Sequence, residues 1–481
     1  MNATTLEAGA EHATRNRLVI NLLLVSSFVV ILNETIMGVA VPRLMESLNA
    51  TASAAQWVTT AFLLTMAVVI PMTGFLLQRL NTRTIFIIAM SLFSLGTLVA
   101  ALAPGLEVLV VARVIQASGT AIMMPLLMTT VMTLVPPESR GNTMGNVTRV
   151  IAVAPAIGPA LSGLILYFLH WRWLFVLVLP IALASLWLGW RRIENVTTPR
   201  DAPLDLASVV LSVFAFGGSV WGVSLLGLPP APGTPPAWIL LVIGAIAMIL
   251  FVHRQLRLQR SNAALLDLRT FRSRNFTISL LLMAILMLAL FGTLILLPIY
   301  LQNVLGLSVL QTGLLLLPGG LIMGLLGPRV GRYYDKVGPR KLVIPGIVIV
   351  TAVLWAMTLL GTASRVENIL IGHIIMSIGF ALLFTPLFTV SLSSVRPELY
   401  SHGSALLGSL NQVAGAVGVA LFVTLMSGQS ARLAGAGATP LEALAGGIRA
   451  AFLCGAIIAL LAVLCAFFVR RSSPQPMPGA H

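Results

Sequence analysis

Long apolar runs recur along this chain, and each can cross a lipid bilayer as one helix, which takes about 20 residues. Hydrophobic residues make up 58% of the 481 and charged residues only 9%, a composition that excludes a soluble globular protein. An all-α polytopic membrane protein is therefore expected, because helices satisfy their own backbone polar groups in lipid. The fourteen predicted spans are 18–42, 55–78, 84–103, 107–134, 142–169, 172–192, 205–228, 237–256, 275–302, 309–332, 341–361, 367–393, 403–428 and 447–469.

The basic residues are distributed unequally between the two sides of the membrane. Of 29 Lys and Arg, most lie in the even-numbered connections between spans and in the two tails. Positive charge concentrates on the cytoplasmic side of membrane proteins, so both termini are predicted in the cytoplasm, with the chain in a cell (inner) membrane. Because orientation accounts for the net charge of +15, no nucleic-acid partner is expected. The first apolar run is too long for a signal-peptide core and is expected to be retained.

An internal repeat divides the chain. The pattern PxxGxxxQRxNxR beginning at Pro71 returns as PxxGxxxDKxGxR beginning at Pro328, displaced by 257 residues. This offset places the first six spans onto the last six and leaves spans seven and eight as an insertion. Transporters are commonly built from such repeats, with the substrate site between them near the midplane. The predicted division is a tail at 1–17, a six-helix bundle at 18–192, two additional helices with linkers at 193–273, a second six-helix bundle at 274–470 and a tail at 471–481.

Glu34 is the acidic residue placed deepest within an apolar run, directly after Asn33. A charged side chain at that depth costs roughly 2.5–3.5 kcal/mol, so it usually faces a watery or protein-lined interior. There it can serve as a reversible proton carrier; a structural acid hydrogen-bonded within the bundle is the alternative. Arg113 lies within span four with Gln116 three residues later on the same helix face. A guanidinium keeps its proton and needs an acceptor, and Glu34 is the opposite charge in this bundle, as a coupling partner or a static ion pair.

Other residues are candidates for a substrate cavity or for gating. Amides, thioethers and aromatic rings suit an adaptable apolar cavity, although such residues more often serve bundle packing. Prolines with small residues in span five favour a hinge or a packing kink, and the repeated loop motifs favour matched gates. The predicted cavity residues are Met37, Gln116, Met123, Phe291, Asn411 and Gln412; the predicted gating and hinge residues are Gly74, Arg83, Pro155, Gly158, Pro159, Gly331, Asp335 and Arg340. His373 is expected to be structural.

No enzyme is expected, because the sequence lacks a phosphate-binding G-x-x-x-x-G-K-[ST] loop and a nucleophile with its base and orienting group. No cofactor and no metal site are expected, since no His/Cys cluster with ligand spacing occurs.

The chain resembles the fourteen-span drug:proton antiporters of the major facilitator superfamily over nearly its whole length. The matching segments are LNETI…AVP from Leu32, QWV from Gln56, PxTG from Pro71, RxxQ from Arg113, GP from Gly158 and WRWLF from Trp171. Five positions depart from the family pattern. Asn33 stands where the acid is usually Asp, Gln78 and Asn81 stand where the loop motif has Asp and Gly, and Ala117 and Ser162 stand where Gly is usual. The resemblance implies two six-helix bundles plus two central helices, with proton coupling through Glu34, Arg113 and Asn33.

The expected function is proton-coupled export of lipophilic, often cationic compounds by alternating access. The expected partners are a small-molecule substrate, protons and the lipid bilayer, and the protein is expected to be a monomer. Two alternatives stay open. The chain could move one endogenous metabolite, such as a siderophore, lipid or self-made antibiotic, or it could be a membrane sensor that transports nothing.

Overall fold

The computed structural model describes residues 3–195, 199, 203–226 and 234–470. Fourteen long helices and their short connections make up this part of the chain, and it contains no strand. Each helix is long and apolar enough to cross a membrane, which confirms the predicted all-α fold and the number of spans. The helices are α1 Ala3–Leu48, α2 Ala52–Arg79, α3 Thr82–Leu102, α4 Leu106–Leu134, α5 Arg140–Phe168, α6 Trp173–Arg192, α7 Leu206–Ser224, α8 Ala237–Leu258, α9 Arg274–Asn303, α10 Val309–Val337, α11 Arg340–Met357, α12 Val366–Ser393, α13 Tyr400–Gly435 and α14 Pro440–Ala466.

Local capping signals set several helix ends. Ser308 is the N-cap of α10 and Thr439 is the N-cap of α14. Each forms a reciprocal capping box that satisfies free N–H groups at the start of its helix. Gly338 ends α10 with a φ of 80°, a left-handed backbone value that glycine adopts without steric cost. Because fourteen helices alternate in direction, both described ends of the chain lie on one face, which we call the terminal face. The other is called the opposite face.

Several helices extend beyond the apolar runs that predicted them. Helix α13 continues to Gly435, whereas the predicted span stopped at residue 428, and α14 begins at Pro440 rather than at 447. Helix α1 already begins at Ala3, within the predicted tail. Hydropathy identifies only the part of a helix that can lie in the lipid. Backbone hydrogen bonds and capping residues extend the helix beyond that part. Most of the predicted turn at 228–236 and the tail at 471–481 lie outside the described residues.

We refer to α1–α6 as the first half and to α9–α14 as the second half. The halves meet along two seams, where α5 packs along α10 and α2 packs along α13. The inserted helices are placed at only one seam, because α7 lies against both α2 and α13 while α8 packs on α7. Trp57 of α2 meets Trp221 of α7 edge to face with ring centroids 5.6 Å apart.

Candidate functional site

Arg113 is the centre of a buried polar network in the first half. Its side chain is on α4, is 1% exposed, and lies with the guanidinium carbon 3.9 Å from the centre of the Phe62 ring. The guanidinium donates to the Gln116 amide oxygen, to the Asn33 amide oxygen at 3.1 Å and to the Val58 carbonyl oxygen at 3.3 Å. Three helices, α1, α2 and α4, are therefore joined by one side chain.

Every hydrogen-bond acceptor around Arg113 is neutral. The Gln116 amide is itself held in place, because its nitrogen donates to the Thr97 hydroxyl of α3 at 2.7 Å. Within the described part of the chain, no carboxylate oxygen lies within 4.0 Å of the Arg113 guanidinium. The hydrogen-bond partner of Arg113 on α1 is thus Asn33 and not Glu34. Consecutive side chains on a helix point about 100° apart. Because Asn33 faces Arg113, the Glu34 side chain points in a different direction.

Glu34 is half-buried and forms no hydrogen bond or ion pair with any residue that the structure describes. Its neighbour Thr35 packs against Gly158 of α5 so closely that a methyl group on this glycine would overlap the Thr35 hydroxyl. One turn beyond Glu34, Gly38 is exposed, and no atom lies within 4 Å of where its Cβ would be. The Glu34 carboxyl group therefore lies beside a tight α1–α5 contact and one turn before an exposed position of α1.

Contacts between the two halves occur near the terminal face. Near the terminal face, the Thr129 hydroxyl of α4 donates to the Ser404 hydroxyl of α13 at 3.1 Å, and Gly408 of α13 lies beside Pro125 of α4. Further toward the opposite face, Val114 of α4 is 39% exposed although α4 packs among several other helices. We take the space between the halves on this side as the candidate substrate cavity.

The predicted cavity residues fall into two groups. Met37 and Met123 are buried in packed apolar clusters, and Gln116 is enclosed in the Arg113 network, so these side chains contact protein in this conformation. Phe291 of α9 is 36% exposed and packs beside Gly415 of α13.

The two amides predicted for the cavity lie on the same helix as Gly415. Asn411 and Gln412 are half-buried, one turn before this glycine. The Asn411 side-chain oxygen is buried and has no hydrogen-bond partner among the described residues. An unsatisfied buried acceptor is costly, and a substrate donor could satisfy it.

At the terminal face, the α5–α10 seam is closed by contact between backbones. Gly141 and Gly145 of α5 lie against Gly331 and Gly327 of α10 so closely that a side chain on any of the four would overlap the partner helix. The Asp335 carboxylate accepts hydrogen bonds from the N–H groups of Gly141 at 2.8 Å and Asn142 at 2.9 Å, in the first turn of α5. A carboxylate at a helix N-terminus is stabilised by free N–H groups and the helix dipole.

The α2–α13 seam carries the other copy of the repeated motif. Gln78, the equivalent of Asp335, donates from its side-chain nitrogen to the Glu398 carbonyl oxygen at 3.2 Å, just before α13. Gly74, the equivalent of Gly331, faces His402 and Ala405 of α13. The repeat therefore predicts the location of these contacts, although an amide replaces the carboxylate.

The repeated arginines act within each half. Arg83 donates to the Trp190 carbonyl oxygen at 2.6 Å at the end of α6, and Arg340 donates to the carbonyl oxygens of Phe467 and Val469 after α14. Cations at helix C-termini satisfy free carbonyl groups and complement the dipole. Both arginines join a third helix to a sixth helix of the same half and bridge neither seam.

The predicted hinge prolines of α5 flank a close contact with α10. Close contact between these helices continues from the terminal face as far as Ala156 and Gly320. Pro155 precedes this point, and Pro159 follows it and is exposed. A proline within a helix removes one backbone hydrogen bond, so α5 can bend at this level.

Replacing Arg113 with lysine tests the network. Lysine cannot reproduce three hydrogen bonds together with planar stacking on Phe62, so acceptors in the buried site lose their donor. We expect a loss of about 2–4 kcal/mol in unfolding free energy, read as a lower thermal midpoint of the purified protein. Arg43→Lys is the control, because the Arg43 side chain is 60% exposed. Equal midpoints for the two variants would show that the network does not stabilise the fold.

Three residues of the network, Val58, Phe62 and Thr97, were missed in the sequence analysis. Val58 accepts through its backbone, which no side-chain pattern shows. Phe62 is one of the 20 phenylalanines and carries no distinguishing signal except its position six residues after Gln56, within the second-span pattern.

Two repeated six-helix halves, the first of which contains a buried polar network and a half-buried acid, define the class of membrane transporters built from two bundles. The chain belongs to the Major Facilitator Superfamily, whose profile matches residues 23–419.

Named relatives cover most of the chain. It is 39% identical over 456 residues to the uncharacterized MFS-type transporter YcnB of Bacillus subtilis, covering 94% of this chain and 95% of the relative. It is 38% identical to the lincomycin resistance protein LmrB of Listeria monocytogenes, covering 93% and 96%. The multidrug export protein EmrB of Haemophilus influenzae is 29% identical, covering 82% and 78%. In fold, the chain is similar to the human organic anion transporter MFSD10, with a TM-score of 0.67, 16% identity and coverage of 94% and 99%.

Proposed function

We propose that the protein is a proton-coupled exporter that moves lipophilic, often cationic compounds by alternating access, with Glu34 as the coupling acid. The observation that carries the proposal is the position of Glu34, which is half-buried beside the Arg113 network and has no hydrogen-bond or ion-pair partner among the described residues. A carboxyl group in this position can hold either a proton or the cationic group of a substrate. Because the proton and the substrate compete for this carboxyl group, the protein carries them across the membrane in opposite directions.

Arg113 has a positioning role in this mechanism. Its bond to Asn33 fixes the α1 turn that carries Glu34, and its contacts to α2 and α4 hold that turn against the rest of the first half. Arg113 also places a permanent positive charge close to the acid, and like charges repel. A cationic substrate at Glu34 therefore meets repulsion from Arg113 and is bound more loosely than the acid alone would bind it.

The proposed substrates are amphipathic drugs, and lincosamides are among them. The support is the pair of relatives named for lincomycin resistance and multidrug export. The Phe291 ring offers an apolar surface, and the half-buried amides of Asn411 and Gln412 offer hydrogen bonds to substrates of differing shape.

We further propose that the terminal face is cytoplasmic and that the protein lies in the bacterial inner membrane as a monomer. The support for the orientation is the concentration of Lys and Arg in the connections of that face. With the terminal face closed, the described conformation is then the one that releases substrate outward.

The experiment is substrate flux in proteoliposomes under an imposed pH difference, with lincomycin and a lipophilic cationic dye as probes. One pH unit is worth about 1.4 kcal/mol per proton, so one-for-one exchange supports about tenfold accumulation per unit. Accumulation that follows the gradient and disappears with a protonophore is expected. Flux that ignores the gradient would overturn proton coupling. Binding without flux would favour a sensor, and neither binding nor flux of the two probes would favour transport of a single specific metabolite.

A further inference from the structure

The connection between α8 and α9 contains a buried segment without regular structure. It follows Asn262, whose φ of 53° turns the chain out of α8. Residues 263–267 are all less than 9% exposed, whereas Arg260 before them and Arg272 after them are exposed. We call residues 263–267 the strap. A buried loop is unusual, because its backbone polar groups need partners.

The strap packs against both halves of the protein. Leu265 and Leu266 belong to one apolar cluster with Phe75 of α2 and Ala405 of α13. Phe251 of α8 belongs to the same cluster. The two leucines therefore lie where the α2–α13 seam meets the terminal face, and they bury apolar surface from both of its helices.

Gln255 of α8 holds the strap in place. This side chain is fully buried, and its amide oxygen accepts from the N–H groups of Leu265 at 2.8 Å and Leu266 at 3.2 Å. Its amide nitrogen donates to the Ser208 hydroxyl of α7 at 2.8 Å. One glutamine thus satisfies two strap donors that would otherwise be buried without acceptors.

An ion pair next to Gln255 joins α7 and α8 at the terminal face. Asp205 accepts two hydrogen bonds from Arg254 of α8, both at 2.6 Å, and caps the N–H group of Ser208. Hydrogen bonds from Arg254 hold the pKa of Asp205 well below its ordinary value. The inserted helices and the strap form one connected unit.

On the other side, the strap faces α13 and α2. His402 of α13 is 3% exposed and lies beside the Leu265 backbone and the Asp267 carboxylate. A methyl group on Gly74 of α2 would lie 3.0 Å from the His402 ring nitrogen Nδ1. Burial alone would raise the pKa of Asp267, but hydrogen bonds from Arg269 hold it below its ordinary value. The strap therefore ends in a buried carboxylate next to the seam.

We propose that the strap holds the α2–α13 seam closed at the terminal face and leaves α13 when that face opens, with Gln255 as its positioning residue. The other seam is closed by the Asp335 carboxylate on the first turn of α5, whereas the equivalent Gln78 makes one hydrogen bond to a carbonyl oxygen. The strap supplies contacts across the seam that has the weaker motif. The inserted helices α7 and α8 then have a function, which is to carry the strap.

Two tethers test this proposal in the full-length protein after Cys454 and Cys465 are replaced with serine. The first joins Leu266→Cys of the strap to Ala405→Cys of α13 with a short bis-maleimide. The second joins Leu266→Cys to Phe251→Cys of α8, which belongs to the same unit as the strap. We expect the first tether to abolish transport of a cationic dye and the second to leave more than half of it. Full transport with the α13 tether formed would overturn the proposal.

A Gln255→Ala variant provides a readout independent of the substrate. Two strap N–H groups lose their acceptor, so we expect maleimide labelling of Ala405→Cys from the terminal face to rise about tenfold. Gln302→Ala, at the far end of α9, is the matched control and is expected to label at the parent rate. Unchanged labelling in Gln255→Ala would also overturn the proposal. Because labelling needs no substrate or proton gradient, a wrong assignment of proton-coupled export leaves this outcome unaffected.

Discussion

Replacing Glu34 with glutamine is expected to abolish proton-driven accumulation while the protein still folds and exchanges conformations. Glutamine has nearly the shape of a protonated glutamate but cannot release a proton or bind a cation through charge. With a pH difference of two units, one-for-one exchange supports roughly 100-fold accumulation in the parent, and the variant should reach equality across the membrane. Flux of a lipophilic cationic dye in proteoliposomes measures this loss.

The matched control is Glu107→Gln. Glu107 is exposed in the first turn of α4, at the opposite face. Replacing Glu107 should leave proton-driven accumulation of the dye at the value of the parent protein. Proton-driven accumulation that persists in Glu34→Gln would show that another group carries the proton, and the proposed role of Glu34 would have to be abandoned.

Replacing Gly331 with valine is expected to hold the terminal face open. A side chain on Gly331 overlaps the Gly141 carbonyl group, so α5 and α10 must separate before valine fits. Overpacking costs about 1–3 kcal/mol, which shifts the balance between closed and open terminal faces by roughly 5- to 150-fold. We expect faster maleimide labelling of Met144→Cys, a residue fully buried on α5, together with loss of transport.

Gly313→Val is the control on the same helix. No atom lies within 4 Å of where the Gly313 Cβ would be, so valine is accommodated there without moving α5. Labelling of Met144→Cys and transport should both match the parent. If Gly331→Val also matches the parent, the close approach of the two helices does not control the closed state.

Much of the fold could be predicted because the bilayer imposes a simple physical requirement. Each crossing needs a long apolar helix, so the number of spans follows from hydropathy, and the 257-residue offset correctly pairs Arg83 with Arg340 and Gln78 with Asp335. Helix ends could not be predicted in the same way. The last turns of α13 are polar and small, and they depend on backbone hydrogen bonds that hydropathy does not detect.

The candidate site was predicted only in part, because side-chain direction depends on helix rotation. Arg113, Gln116 and Asn33 were identified, and the structure brings them together. Glu34 is adjacent in sequence and interacts with Arg113 through charge, but the hydrogen bond from Arg113 goes to Asn33, which charge alone does not indicate. The strap was missed because its signal, two leucines within a basic connection, resembles an ordinary linker.

The placement of α7 and α8 makes the two flanks of the molecule unequal. One flank, along α2 and α13, is covered by two additional helices, and the other, along α5 and α10, has no such cover from the residues that the structure describes. A compound dissolved in the membrane therefore meets an additional layer of helices, α7 and α8, when it approaches the space between the halves along α2 and α13. It meets no such layer in the described part of the chain when it approaches along α5 and α10. The duplication that produced two similar halves has not preserved equal access to the space they enclose.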